Sequence, residues 1–161
     1  MTEWRKHIKA RLADKYPDIL MVEELPSDDK EAVAFAAANT LLNKYPDVKL
    51  LMAICSPAVP AAAQAVEQSA HKDVKVIGLG LPNDNKRYVH KGITDCVILW
   101  NTMDLGYLAV HAAHGLKKGT LREGDRHLQA GRMRNVEIQG DNVLLGTPFI
   151  FTKSNIDRFD F

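Results

Sequence analysis

The regular alternation of helix-type and strand-type segments constrains the fold of this chain more than any other feature. Continuous apolar runs that suit strands alternate with longer segments in which apolar and small residues recur at helical spacing. Continuous apolar strands are typical of parallel sheets that helices cover on both faces. The sequence therefore predicts an α/β fold, a doubly wound and mainly parallel sheet with flanking helices and right-handed crossovers.

The carboxy-terminal part has a different pattern. RNVEIQGDNVLLG predicts a β-hairpin around residues 140–142, and TPFIFTKSNIDRFDF predicts a further strand followed by a capped turn. The strands predicted before this region are ILMVEEL (19–25), VKLLMAIC (48–55), VKVIGLG (74–80) and CVILW (96–100). The predicted helices run from Thr2 to about Tyr16, over 29–45, from Val59 or Pro60 to about Ala70, from Asn85 to His90, and over 102–119.

The order of these elements lacks a strand at its beginning. The first predicted element is a helix, whereas the first strand of a doubly wound sheet usually lies in the interior of the sheet. We therefore expect the 161 residues to begin just after the first strand of their own sheet. The opening MTEWRKHIKARL predicts an amphipathic helix and lacks the basic tip and apolar core of a signal peptide.

Composition narrows the functional classes. The net charge is +1 and no basic stripe with interleaved aromatic residues is present, which disfavours nucleic-acid binding. No apolar run approaches the roughly 20 residues that span a bilayer. The two cysteines, Cys55 and Cys96, lie at opposite ends of two predicted parallel strands, so we expect two free thiols.

A glycine-rich turn follows the strand at residues 74–80. Gly78 and Gly80 fit the start of a dinucleotide fingerprint, but Asn83 replaces its third glycine and Pro82 removes a backbone donor. A nucleotide-dependent oxidoreductase is therefore the third-ranked alternative, and no cofactor is expected.

Polar and aromatic residues follow three of the predicted strands. Ligands of open α/β sheets bind beyond the carboxyl ends of the strands, and these positions hold Ser56, Asn83, Trp100 and Asn101. An indole that stacks on a sugar ring beside hydroxyl and amide partners suits a carbohydrate. The alternative, equally supported by the residues alone, is that Trp100 caps the core and the polar residues cap helices.

The histidines and acids predict no catalytic or metal centre. His111 and His114 are three residues apart on one predicted helix with His127 nearby, but nothing fixes a further ligand such as Glu123 or Asp125. Surface or interface histidines are the favoured interpretation. Neither a G-x-S-x-G elbow nor a Walker lysine loop occurs, so we do not expect an enzyme.

Several stretches together resemble the periplasmic sugar-binding proteins of ABC transporters, most closely the rhamnose subgroup and the neighbouring autoinducer-2-binding proteins. The resemblance runs from Glu3 to Phe161 and rests on EWRKHIKARLADKYPDI, AAAQAVE, VIGLGLPNDNKRYVHKG, ILWNTMDLGYLAV, AGRM and FTKSNIDRFDF. It implies a periplasmic or cell-surface protein that binds a small sugar between two hinged lobes and delivers it to a permease. The ligand-sensing domain of a transcription regulator shares this fold and is the second-ranked alternative.

The resemblance also implies site residues and a domain arrangement. Ser56, Pro57, Ala58, Trp100 and Asn101 would contact the sugar from the second lobe. Many relatives carry an acid where this chain has Gly80. Hydrogen bonds to the sugar hydroxyls would then come from neighbours such as Asn83. Residues 1–100 would form the second lobe without its first strand, and residues 101–161 a crossover helix and hairpin that pack with the first lobe.

A carboxy-terminal portion without its first lobe would expose apolar surface. The helix from Met103 to Leu116 carries Leu105, Leu108, Ala109, Ala112 and Leu116 along one face. Exposed apolar stripes are rarely left bare in monomers, so we expect a homo-oligomer, intertwined through residues after Asn101.

Overall fold

The computed structural model describes residues 2–161, which divide into two compact units. The first unit holds the described residues up to Ile98 together with Ile150–Phe161, and the second is Leu99–Phe149. The helices are α1 (Thr2–Lys15), α2 (Glu31–Lys44), α3 (Ala58–Gln68), α4 (Pro82–His90) and α5 (Thr102–Lys118). The strands are β1 (Leu50–Ala53), β2 (Lys75–Leu79), β3 (Thr94–Leu99), β4 (His127–Gln129), β5 (Asn135–Gln139), β6 (Asn142–Val143) and β7 (Phe149–Phe151).

The sheet of the first unit has the order β1-β2-β3-β7. β1 pairs parallel with β2, and β2 pairs parallel with β3, with Leu51 opposite Val76 in the first ladder. Helices α2, α3 and α4 alternate with these strands along the chain. The prediction of an α/β fold with a mainly parallel sheet and flanking helices is confirmed.

Small residues allow the elements of the first unit to approach closely. Seven of the eleven residues of α3 are buried, five of them alanines, and α3 packs against α2. A Cβ on Gly78 would lie 1.8 Å from the Ala53 carbonyl oxygen, so this position in β2 accepts only glycine. Phe151 and Ile156, both fully buried, close the core from the carboxy-terminal end of the chain.

The segment 19–25 is the main departure from the predicted secondary structure. The prediction of a strand there is wrong, because these residues form no ladder and have no regular secondary structure. A strand needs a hydrogen-bonded neighbour, and among the described residues β1 pairs only with β2. Helix α1 forms as predicted, but none of its residues is buried.

The second unit contains α5 and a small antiparallel sheet with the order β4-β5-β6. The predicted hairpin is confirmed as β5 and β6, whereas β4 was not predicted because it is only three residues long. The core of this unit consists of Leu108, Leu121, Leu128, Ala130 and Val136. None of the helices in residues 2–161 is long and apolar enough to cross a bilayer.

Candidate functional site

The carboxyl ends of β1 and β2 place four predicted site residues in the first unit. Ser56 and Pro57 are half-buried in the turn after β1, and the buried Ala58 begins α3. Gly80 is buried directly after β2. The Ser56 carbonyl oxygen is 3.7 Å from the position that a Cβ on Gly80 would take, so the two turns are neighbours. The structure thus brings together Ser56 and Gly80 at one edge of the sheet.

Asn85 explains why residue 80 is a glycine. Its side chain is fully buried, and its amide nitrogen would lie 2.8 Å from a Cβ on Gly80. The same nitrogen donates to the Leu81 carbonyl at 2.9 Å, which fixes the turn between β2 and α4. The other amide atom, Oδ1, has no hydrogen-bond partner among the described residues. Sequence reasoning missed Asn85, although an amide inside an apolar helix face was the available signal.

Asn83 is exposed in the first turn of α4 and already has polar partners. Its side-chain nitrogen donates to Asp160 at 3.1 Å, its side-chain oxygen accepts from Lys86 at 2.8 Å, and its backbone N–H donates to the Phe161 carbonyl at 3.2 Å. Lys86 also donates to the Phe159 carbonyl, at 2.5 Å. These contacts fasten the carboxy-terminal residues to α4, and a role of Asn83 in ligand binding remains a prediction.

Trp100 and Asn101 belong to the second unit. Trp100 is half-buried directly after β3, and Asn101 is the N-cap of α5. The side-chain oxygen of Asn101 accepts from the backbone N–H groups of Met103 at 3.0 Å and Asp104 at 3.1 Å. This is the helix-capping role considered for Asn101, and it occupies only the oxygen end of the amide.

A polar and aromatic cluster in the second unit was not predicted. The Tyr107 hydroxyl accepts a hydrogen bond from the backbone N–H of Arg132 at 3.1 Å. The Arg132 guanidinium lies 4.5 Å from the centre of the Tyr107 ring and forms an ion pair with Asp104. The Tyr107 hydroxyl would be 2.2 Å from a Cβ on Gly131, so the AGRM turn needs its glycine. The spacing of Asp104, Tyr107 and His111 on one helix face was the available signal.

The residues considered for metal binding do not gather. His111 packs on the Tyr107 ring with 4.5 Å between ring centres, while His114 and His127 are exposed. Within residues 2–161, no group of three histidine, cysteine or carboxylate side chains is placed to hold a metal ion.

Both cysteines are free thiols, as predicted. The Cys55 sulfur lies 3.2 Å from the Ser27 hydroxyl oxygen. Burial, with a smaller contribution from the Asp95 carboxylate, raises the pKa of the Cys96 thiol, so its thiolate is disfavoured.

The sequence and the fold are similar to those of known proteins. The chain belongs to the periplasmic binding protein domain family, whose sequence model matches residues 1–121. A solved sugar ABC transporter protein from Actinomyces odontolyticus is 32% identical, with a TM-score of 0.81 over 98% of this chain and 52% of its own. LsrB from Clostridium saccharobutylicum, solved with AI-2, is 25% identical, with a TM-score of 0.83 over 99% of this chain and 55% of its own.

A third solved structure carries a bound sugar. It is an ABC transporter solute-binding protein from Clostridium phytofermentas with L-rhamnose, 26% identical, with a TM-score of 0.81 over 96% of this chain and 53% of its own. The chain therefore spans about half the length of these structures. The resemblance to sugar-binding proteins of ABC transporters is confirmed at the level of the family, and the rhamnose and autoinducer-2 subgroup remains a prediction.

Proposed function

We propose that these residues form the carboxy-terminal part of a solute-binding protein that delivers a small sugar to an ABC importer. The observation that carries the proposal is the meeting of the Ser56-Pro57-Ala58 turn and Gly80 at the carboxyl edge of a parallel sheet. Ligands of open α/β sheets bind at such edges. The proposal draws further support from neighbours of at least 25% identity whose structures hold AI-2 or L-rhamnose.

The chemistry of the candidate residues favours a sugar with an apolar face. Trp100 supplies an indole for stacking, and the Ser56 hydroxyl and the nitrogen end of Asn101 supply hydrogen bonds. At residue 80 there is no carboxylate, and Asn85 fills the space that a side chain would need. A ligand with few hydroxyls toward the Gly80 turn, such as rhamnose or a related deoxy sugar or small polyol, suits this turn better than a fully hydroxylated hexose.

The remaining parts of the proposal follow from the family. The protein would act in the periplasm or at the cell surface with a permease as partner, and it would bind its ligand without transforming it. Residues 1–100 would belong to the second lobe, and residues 101–161 would contact the first. The transcription-regulator alternative gains no specific support from the described residues.

Calorimetric titration in a protein that carries both lobes tests the proposal. We expect binding of L-rhamnose or another deoxy sugar, and we expect Trp100→Ala to weaken it by about 1–3 kcal/mol, the effect of losing a stacking aromatic residue. Trp100→Phe should retain most of the affinity, and the melting temperature without ligand should change little. Unfolding by Trp100→Ala with unchanged affinity in the folded fraction would show that the indole only caps the core.

Self-association of the 161-residue chain is a separate proposal. Of the apolar stripe on α5, Leu108 is buried in the core of its own unit, whereas Leu105 and Leu116 remain exposed, Leu116 by 62%. We expect these exposed residues to drive a dimer or larger oligomer, intertwined through residues after Asn101. Light scattering at micromolar concentration should show it, and Leu116→Lys should shift the equilibrium toward monomer. A monomer of compact radius would overturn this proposal.

A further inference from the structure

Residue 80 is a glycine for a reason that lies outside its own backbone. Gly80 is not among the described residues that have a positive φ, so its backbone conformation allows any L-residue. A Cβ at this position would lie only 2.8 Å from the side-chain nitrogen of Asn85, closer than Cβ contacts in proteins. The next atoms, Val97 Cγ1 at 3.4 Å and the Ser56 carbonyl oxygen at 3.7 Å, would tolerate a methyl group. The Asn85 amide is therefore what keeps a side chain out of residue 80.

The Asn85 side chain has no room to move aside. It is fully buried in α4, whose other buried residues are Pro82, Tyr88 and Val89. Its nitrogen donates to the Leu81 carbonyl oxygen at 2.9 Å, one helical turn earlier. Moving the amide would break this hydrogen bond and leave a buried donor without a partner, which is unfavourable. The amide thus keeps a fixed position against the turn.

Stability alone does not explain an asparagine at residue 85. Its Oδ1 atom is buried and has no hydrogen-bond partner among the described residues, which opposes folding. A leucine has nearly the same shape and would fill the space without burying an unpaired polar atom. Asn39 of α2 donates in the same way to the Phe35 carbonyl four residues earlier, at 3.1 Å, but it is only half-buried. A buried polar group that opposes folding indicates a role other than stability.

The Asn85 amide removes two acceptors from the carboxyl edge of the sheet. The first is any carboxylate, amide or hydroxyl side chain at residue 80, which the Asn85 nitrogen excludes. The second is the Leu81 carbonyl oxygen, which already accepts a hydrogen bond from Asn85. A ligand hydroxyl at this turn would lose its hydrogen bonds to water and gain few in return, whereas a methyl group has none to lose. The turn therefore favours the part of a ligand that carries no oxygen.

We propose that Asn85 determines the substrate class at the Gly80 turn, so that the site selects 6-deoxy sugars over the matched hexoses with a hydroxyl at C6. The methyl group of the 6-deoxy sugar is the part that faces the turn. Asn85 acts through Gly80 and Leu81 and is a positioning residue. The inference rests on the proposed function, because it concerns the same sugar site.

A double-mutant cycle in the 161-residue chain tests the contact itself. We expect Gly80→Ala to lower the melting temperature by about 4 °C or more in the parent, because the new Cβ collides with the Asn85 amide. In an Asn85→Ala background the same substitution should change it by less than about 1 °C. Asn85→Ser gives a second background with a small side chain. Asn39→Ala removes the same type of hydrogen bond elsewhere and should leave the effect of Gly80→Ala at its parental size. Equal losses in every background would overturn the proposal.

Competition between matched sugars tests the substrate class in a protein that carries both lobes. The pairs are L-rhamnose with L-mannose and D-fucose with D-galactose, whose members differ only in the C6 hydroxyl. We expect the parent to bind the deoxy member of at least one pair about tenfold more tightly or better. Gly80→Asp combined with Asn85→Ala places an acceptor at the turn and should reduce this ratio about tenfold, while Asn39→Ala should not change it. A merely structural effect would weaken both members of a pair equally.

The outcomes separate this proposal from the one on which it rests. Sugar binding with the same ratio in the parent and in the Gly80→Asp, Asn85→Ala variant would overturn the role of Asn85 and leave the sugar-binding function standing. Binding of the hexoses as tightly as the deoxy sugars by the parent would overturn the substrate class alone. Absence of binding by all four sugars would overturn the proposed function together with the substrate class, and the melting-temperature cycle would still decide whether Asn85 excludes a side chain from residue 80.

Discussion

Helices α1 and α3 form equally well and pack very differently. α3 buries seven of its eleven residues, whereas α1 buries none of its fourteen. The strand-type sequences next to them differ in the same way: VKLLMAIC contains a paired strand, and ILMVEEL remains unpaired and exposed. Periodicity and propensity thus specify the local conformation here, but burial depends on whether a neighbouring strand is present to receive the apolar face.

Matched leucine deletions give the largest expected contrast between the two regions. Leu42 of α2, the helix that packs against α3, is 1% exposed, and Leu12 of α1 is half-buried beside Ile19 and Met21. We expect Leu42→Ala to reduce the free energy of unfolding by about 2–5 kcal/mol, through lost burial and a cavity. Leu12→Ala should cost less than about 1 kcal/mol. Urea unfolding measures both, and equal losses would show that α1 is packed as firmly as α2.

We expect acid to detach residues 19–25 from α1 and α2 before it unfolds the sheet. Hydrogen bonds from Lys44 lower the pKa of Glu23, and those from Arg5, then Lys9, lower the pKa of Glu24. A carboxylate whose pKa is lowered by folding stabilises the folded state fully when the pH is above the ordinary pKa of 4.5. This stabilisation is lost as the pH falls through the lowered pKa of the folded state. The attachment should therefore be intact at neutral pH and weaken below about pH 4.

Limited proteolysis detects this release. Pepsin at about pH 3 should cut first at the exposed Leu20 or Met21, before any cut within β1 to β3. At neutral pH, the double variant Glu23→Gln and Glu24→Gln should make chymotrypsin cut faster near the same place than it cuts the parent chain. If the sheet is cleaved together with residues 19–25 in both experiments, the two regions unfold as one unit and the contrast drawn above is wrong.

Thiol reactivity should give the smallest and most local signal. The Ser27 hydroxyl contacts the buried Cys55, so loosening of the segment 19–27 uncovers this sulfur. We expect Glu23→Gln to speed the alkylation of Cys55 by about two- to fivefold at neutral pH, by analogy with other local openings. Cys96 lies within β3 and serves as the internal control, since its rate should not change.

Alkylation after unfolding without reductant should label both cysteines, and mass spectrometry counts the labels. Any fraction that keeps a Cys55–Cys96 bridge would contradict the strand positions of the two residues. Faster alkylation of Cys96 in Glu23→Gln would show instead that this substitution loosens the whole sheet.

Most of the fold could be predicted because the signals were local. Pro17 and Pro46, the alanine-rich α3 and the glycine-centred hairpin at Gly140 marked the elements within a few residues. The strand at residues 19–25 was wrong for a reason that no local signal contains, since pairing depends on what lies beside a segment in space. Arg132 was missed on the same ground, because its contact with Tyr107 joins residues 25 apart in sequence. Asn85 was missed although its contact with Leu81 spans only four residues.

Only part of the candidate site could be predicted from the sequence. Parallel topology brings the carboxyl ends of strands to one edge, and the turns that hold Ser56 and Gly80 lie side by side there. Whether these residues bind a ligand stays a prediction. The hydrogen bonds of Asn83 to Asp160 and Phe161 could not be predicted, since even the Asp160 contact joins residues 77 apart in sequence.

The return of β7 to the sheet affects how the chain acquires its structure during synthesis. β3 ends at Leu99 and its neighbour β7 begins at Phe149, so the whole second unit is translated between two adjoining strands. Phe151 and Ile156, which complete the core, are translated only after the second unit. A nascent chain must therefore keep β3 exposed while about fifty further residues are made, which is several seconds at ordinary rates of translation. During this interval the edge of β3 that pairs with β7 is open, and open strand edges in partly folded chains favour aggregation.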